Sequence, residues 1–194
     1  LPLYGRNADE QSKSYPKQQR VDTFSKELFN KHIIDFGCGE GEFLQAIKES
    51  LAFKSLTGVD AYIPPALHET EKIQFIPSSI IKFKTEKKYD IAFSDNVIEH
   101  ISPDDLQEHL KSVNNSLVDK GKFIIIIPNR LFGPCDITRI IDNTFSGRVD
   151  AQGGHVNEST YGEKIENLKK ACFSNFKTVL PSNKLRNLRL SARV

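Results

Sequence analysis

The chain has 194 residues, 38% hydrophobic and 27% charged, with a net charge of +2. That composition is globular, and so small a charge argues against a nucleic-acid or membrane-surface partner. No apolar run reaches the length of a membrane span, and the three cysteines, Cys38, Cys135 and Cys172, lack the spacing of a disulfide framework or zinc motif, which fits a reducing, cytoplasmic setting.

Residues 1–30 begin with a polar arm containing Tyr4 and Tyr15 and then form a helix around "VDTFSKELF". "HIIDFG" reads as the first strand, followed by a helix in "EGEFLQAIKESL" with Phe43, Leu44, Ile47 and Leu51 on its apolar side. Further strands follow in "SLTGVD", "KIQFIP", "YDIAFS" and "GKFIIIIP", the last apolar enough to be buried on both faces. Between the last two lies a helix capped at Ser102, with Pro103 at its first position and Gly121 past its end. Residues 129–157 are irregular, and a segment of that length predicts a lid or substrate-binding insertion. "ESTYGEKIENLKKACF" predicts a helix capped by Ser159 or Thr160, with Ile165, Leu168 and Cys172 facing the core, and "FKTVLP" a sixth strand. A closing strand is either missing or irregular, or formed by the tail "NLRLSARV".

Strands alternating with helices in this way predict a single α/β domain over 1–194, a doubly wound, mostly parallel sheet with helices on both faces. Residues 31–128 would bind a cofactor, 129–157 would meet the substrate, and 158–194 would complete the fold. The feature that points to a cofactor is "IIDFGCGEGEFL", where Asp35 is followed by Gly37, Gly39 and Gly41. Glycines there permit a tight turn and a close approach of the main chain to a ligand, and the helix behind them aims its free N–H groups at the same place. A nicotinamide or flavin fingerprint would place a third glycine where Glu42 stands, and a carboxylate there repels a pyrophosphate. No Gly-Lys-Ser/Thr follows, so a nucleoside triphosphate loop is excluded. The loop favours a cofactor without phosphate.

"DFGCGEG" resembles the first motif of the class I S-adenosylmethionine-dependent methyltransferases. "GVDAY", "FIPSSI", "YDIAFSDNVIEHI" and "GKFIIIIPN" are similar to its later motifs in the expected order, and "GGHVNESTYGEKIENLKKACF" to the segment before the sixth strand. The resemblance implies the Rossmann-like methyltransferase fold, S-adenosylmethionine as cofactor and S-adenosylhomocysteine as product. It places Gly37, Cys38, Gly39 and Gly41 beside the methionine part of the cofactor, and Asp35 near its ammonium group. Asp60 would take both ribose hydroxyls, Ala61 and Tyr62 would flank the adenine, and Ser79 stands where the family often has an acid facing the adenine amino group. Ser94, Asp95 and Asn96 would border the transferred methyl.

The same resemblance brings His100 and His155 to the methyl end, where a neutral imidazole can take a proton at physiological pH. Metal-assisted O-methyltransferases carry an acid, then Glu-His three residues later, sometimes with a distant histidine. Here the corresponding residues are Asn96, Glu99, His100 and His155, and Asn96 in place of the acid argues against magnesium. In the insertion, Arg130 and Arg139 could meet an anionic acceptor, or Asp136 could pair with either. The reading favoured is methyl transfer to a small molecule, at oxygen. Alternatives are a non-catalytic binding module of the same fold, and a methyltransferase acting on nucleic acid.

Overall fold

Strands that are apolar at nearly every position can bury both faces, and the structure uses both. In this computed structural model, residues 6–69, 71–132, 134–138, 150–179 and 187–193 are described. The first strand, β1 (His32–Phe36), sends Ile33 to one side and Ile34 and Phe36 to the other, as the two-residue period of a strand requires. Around it lie β2 (Ser55–Asp60), β3 (Ile73–Pro77), β4 (Tyr89–Asp95), β5 (Leu117–Pro128), β6 (Ser174–Val179) and β7 (Asn187–Arg193). They form one seven-stranded sheet in the order β3-β2-β1-β4-β5-β7-β6. The first five strands pair in parallel, and β7 runs antiparallel to both neighbours.

Residues Asn187–Arg193 of the tail are therefore the closing strand, inserted between β5 and β6 rather than added at an edge. The alternative that this strand is missing is set aside. The chain's strand order reverses between β1 and β4, and in open α/β sheets ligands bind in the crevice outside the carboxyl ends of strands at such a point.

Helices cover both faces. On one side Val21, Phe24 and Leu28 of α1 (Arg6–Leu28) and Phe43, Leu44 and Ile47 of α2 (Glu42–Ser50) pack with Ile33, Phe93, Ile124 and Ile126. On the other, Leu106, Leu110 and Val113 of α3 (Pro103–Ser116) and Leu168 of α4 (Tyr161–Lys170) pack with Phe36, Phe123, Ile125 and Ile127. Burial of these side chains stabilises the layers by about 1.5–3 kcal/mol each. Among the described residues no helix is long and apolar enough to cross a membrane.

Several local expectations are corrected. α1 extends well before "VDTFSKELF". α3 ends at Ser116 and β5 begins at Leu117, so Gly121 lies inside the strand segment, and Ser102 precedes α3 without a side-chain capping bond. Cys172 is exposed, not core: α4 stops at Lys170, Cys172 takes a left-handed conformation, and Ala171 and Phe173 are buried instead. At the start of α4, Thr160 is the cap. Its hydroxyl accepts from the Glu163 N–H while the Glu163 carboxylate accepts from the Thr160 N–H, a reciprocal capping box. Thr160→Ala is expected to cost about 1 kcal/mol, read as a lower urea midpoint with an unchanged denaturant slope.

Candidate active site

The turn after β1 runs with positive φ at Gly37 (75°), Gly39 (51°) and Gly41 (73°). Each does a different job. A Cβ at Gly37 would stand 2.5 Å from Val97 Cγ2, so this glycine lets the loop close against the segment after β4. Around Gly39 nothing lies within 4 Å of an added Cβ, so its backbone faces open space. Gly41 faces Phe75, which an added Cβ would meet at 2.6 Å; its need is packing beneath the loop. A cleft of about 410 Å³ opens over this turn, lined by Asp35, Gly37, Cys38, Gly39 and Asp95 together with Lys17 and Arg20 of α1. Phe43 also lines it and stacks on Phe93 with ring centroids 3.8 Å apart.

Three carboxylates set the electrostatics. Asp35 is only 4% exposed, and burial pushes its pKa up to about 8, with Lys17 opposing and Asp95 and Asp60 reinforcing the shift. A buried acid held that high gains from a cation placed beside it. Asp60 accepts the Gly39 N–H at Oδ2 (2.9 Å) and the Tyr62 N–H at Oδ1 (3.2 Å), leaving each oxygen a lone pair for a hydroxyl. Asp95 meets α1: Lys17 Nζ donates to Oδ2 at 3.0 Å and Arg20 Nη2 to Oδ1 at 3.0 Å. Burial raises the Cys38 thiol far above its usual range, which leaves it an unreactive wall of the cleft.

Other predicted residues take varied places. Ala61 and Tyr62 are exposed directly after Asp60. Ser79 is exposed and accepts the Ile81 N–H, tying its own loop rather than lining the cleft. Asn96 is exposed in a left-handed conformation and donates to Asp95 Oδ1 at 3.1 Å. Ser94 is a correction: it is wholly buried, does not line the cleft, and its Oγ has no hydrogen-bond partner among the described residues. Neighbours on a strand point to opposite faces, so Ser94 and Asp95 cannot share the cleft. Asp136 accepts backbone N–H groups of Thr138 and Gly153, and Arg130 pairs with Asp150; Arg139, the other arginine expected near Asp136, lies outside the described residues.

Beyond Val97, a short turn at Ile98–His100 carries the second half of the site. Val156 and Asn157 donate their N–H groups to the Glu99 carbonyl, which stitches the end of the insertion to this turn and brings His155 to His100. Their ring centroids are 4.8 Å apart and the rings are nearly perpendicular. The His100 Nδ1 lies 3.1 Å from the Gly154 carbonyl oxygen, and the His155 Nδ1 meets the Glu158 carboxylate. Both partners are acceptors, which assigns a proton to each Nδ1 and, in a neutral ring, the lone pair to Nε2. Ligand atoms of Glu99, His100 and His155 lie within 4.8 Å of one another. Glu99 is 1% exposed, and neither of its carboxylate oxygens bonds to another described residue. Burial pushes its pKa up to about 7, opposed by His155 and Lys164.

Four residues escaped the sequence reading. Glu158, three residues after His155, also holds the Cys135 N–H with both oxygens, and a carboxylate at that spacing was the available signal. Lys164 is buried in α4, where its Nζ donates to Ser159 Oγ at 2.9 Å and burial lowers its pKa to about 8. Lys17 and Arg20 were missed as well, although their spacing puts them on the stripe of Val21, Phe24 and Leu28.

Known proteins share this arrangement of fold and sequence. A ubiquinone biosynthesis O-methyltransferase of Rickettsia bellii is 29% identical over 119 residues, 58% of this chain and 48% of its own length, so the chain spans about half of that relative. A S-adenosylmethionine-dependent methyltransferase of Archaeoglobus fulgidus superposes with a TM-score of 0.66 at 17% identity, over 93% of this chain and 94% of that one. The Burkholderia thailandensis 1,6-didemethyltoxoflavin-N1-methyltransferase, solved with 1,6-didemethyltoxoflavin and S-adenosylhomocysteine, superposes at 0.61 and 20% identity, over 97% and 81%. Residues 9–169, which take in most of α1, the glycine turn, the paired histidines and nearly all of α4, match the family described as a methyltransferase domain, and the chain belongs to that family.

Proposed function

We propose that the chain transfers a methyl group from S-adenosylmethionine to a hydroxyl of a small-molecule acceptor. The observation that carries this reading is the junction of a cation-seeking cleft at the β1–β4 switch with an oriented imidazole–carboxylate pair just past β4. The residues present fit the cofactor. Asp35 suits an ammonium, the Gly37–Gly39 backbone passes without side chains, and Asp60 has two lone pairs left for a ribose diol. When bound, S-adenosylmethionine supplies an electrophilic methyl and leaves as S-adenosylhomocysteine.

The chain's own work is alignment and proton removal. Glu158 fixes the His155 tautomer, and His155 Nε2 receives the acceptor's hydroxyl proton. A base beside the cleft supports oxygen over nitrogen, since a neutral amine needs no deprotonation. The name of the Rickettsia relative points the same way, within the half of its length that this chain spans. Three cysteines without the spacing of a disulfide framework suit the reducing setting of the cytoplasm.

Radiolabelled methyl transfer to a panel of phenols, catechols and amines tests the acceptor: labelling confined to amines would overturn the oxygen reading. Asp60→Ala is expected to weaken S-adenosylhomocysteine binding by about 1.5–3 kcal/mol, the worth of hydrogen bonds to a charged group. Unchanged affinity in calorimetry would remove Asp60 from the ribose.

A second reading rests on Glu99. A buried carboxylate whose oxygen lies within 4.8 Å of a ring nitrogen of each of two imidazoles is a donor set for a divalent cation, with His100 and His155 already oriented by Gly154 and Glu158. Two nitrogens and one oxygen suit zinc or another transition metal better than magnesium. In that case the ion would polarise the acceptor oxygen. Chelation followed by metal add-back separates the two: activity indifferent to the chelator retires the metal, and loss restored by one ion retires the free base.

A further inference from the structure

α3 grips the loop after β3, and no role above uses that contact. Residues 78–83 form neither strand nor helix, so their backbone groups need partners from elsewhere. α3 supplies two. His109 Nδ1 lies 2.9 Å from the Ile80 carbonyl oxygen, and Ser112 Oγ donates to the Ile81 carbonyl at 2.7 Å. The two side chains stand one helical turn apart on the same face, and both are buried. Burial lowers the His109 pKa to about 4, so its ring is neutral and Nδ1 carries the proton that the Ile80 carbonyl accepts. Nε2 is left buried without a hydrogen-bond partner among the described residues. An apolar side chain would fill the same space without orphaning a nitrogen, so what the imidazole adds is the bond to Ile80.

The loop matters because of where it stands. Asp35 lies near the end of β1, Asp60 ends β2, and β3 is the next strand outward in the sheet. A cofactor with its ammonium at Asp35 and its ribose at Asp60 therefore carries its base towards the end of β3, where the loop begins. The Ser78 N–H donates to the Asp60 carbonyl at 2.8 Å, and Ser79 Oγ accepts the Ile81 N–H, so the loop is fastened to the ribose acid as well as to α3. We propose that His109 and Ser112 are positioning residues that hold this loop as the platform for the adenine, acting through the Ile80 and Ile81 carbonyls without touching the cofactor. This role rests on the S-adenosylmethionine reading and concerns the end of the cofactor that Asp35 and Asp60 do not reach. A loop held from behind by two buried donors is preorganised, so less ordering is needed when the base arrives.

The test is calorimetric titration of the chain with S-adenosylhomocysteine and with S-ribosylhomocysteine, which keeps the amino acid, thioether and ribose but lacks the base. His109→Leu and Ser112→Ala are each expected to weaken S-adenosylhomocysteine binding roughly 3- to 10-fold, the worth of a neutral hydrogen bond. Both should bind S-ribosylhomocysteine as the unaltered chain does. His109→Asn keeps a donor near the Nδ1 position and should hold S-adenosylhomocysteine within about twofold of the unaltered affinity, whereas a packing role would favour His109→Leu. That order decides alone if the base-free ligand binds too weakly to titrate. Ser112→Ala keeps the test available if the changes at His109 do not fold. Equal weakening of both ligands, no weakening of either, or His109→Asn binding no better than His109→Leu would overturn the role. An unaltered chain that binds neither ligand would overturn the cofactor reading itself.

Discussion

His155→Ala is expected to lower kcat by roughly 10²- to 10⁴-fold, the usual contribution of a positioned general base. Affinity for S-adenosylhomocysteine should stay within about twofold, because His155 does not line the cofactor cleft. That split separates a chemical role from a structural one, since a collapsed site would lose both. Glu158→Gln should give a smaller loss together with a shifted pH–rate profile. The amide can still accept from Nδ1, but it no longer stabilises the imidazolium that forms when Nε2 takes a proton. Retained turnover in His155→Ala would move the chemistry to His100 or to alignment alone.

Asp35→Asn should make the ligand-free protein more stable, and increasingly so as pH rises. The sign follows from proton binding. Burial pushes the Asp35 pKa up to about 8 in the fold, against the ordinary aspartate value of about 3.9 in the unfolded chain, so between those limits the folded chain holds a proton that the unfolded chain has released. Stability therefore falls as pH increases through that window. The displacement corresponds to a cost of at most about 6 kcal/mol once Asp35 is fully ionised. Urea midpoints of the two proteins should lie close together near pH 4 and diverge towards pH 8. Glu99, pushed up to about 7, adds a slope of the same sign to both proteins and cancels in the comparison. The variant should also bind S-adenosylmethionine more weakly, since it loses the charge that a cationic ligand would complement. A pH-independent difference would show that Asp35 is not held protonated. Stability given up for a ligand's sake is common at functional sites.

Local signals were the readable ones. β1 to β5 announced themselves as apolar runs, and the turn after β1 as glycines behind an acid. β7 was harder, because its register is set by β5 across the distance from Lys122 to Arg193 rather than by its own pattern. In the site, Asp35, Gly37, Gly39 and Asp60 follow from strand ends, whereas Lys17, Arg20 and Lys164 belong to helices whose charged residues are normally solvated. Ser94 shows the opposite case, where the two-residue period of β4 would have excluded it once Asp95 was placed in the cleft. Cys172 failed as a core residue because helical periodicity was carried past Lys170, where the chain turns left-handed.

The antiparallel strand lodged between β5 and β6 has a consequence for how the chain assembles. Among the described residues, Ile124 to Ile126 of β5 pair on one side with β4, Ile124 to Ile127 pair on the other with β7, and β6 joins the sheet through β7. Until residues 187–193 arrive, the run of four isoleucines is an unprotected sheet margin, the kind of surface on which chains add to one another. Sheet closure here waits for the most distant pairing, a slow step by loop-closure entropy. Chaperone dependence and aggregation should therefore track the integrity of residues 187–193 more closely than that of any other strand.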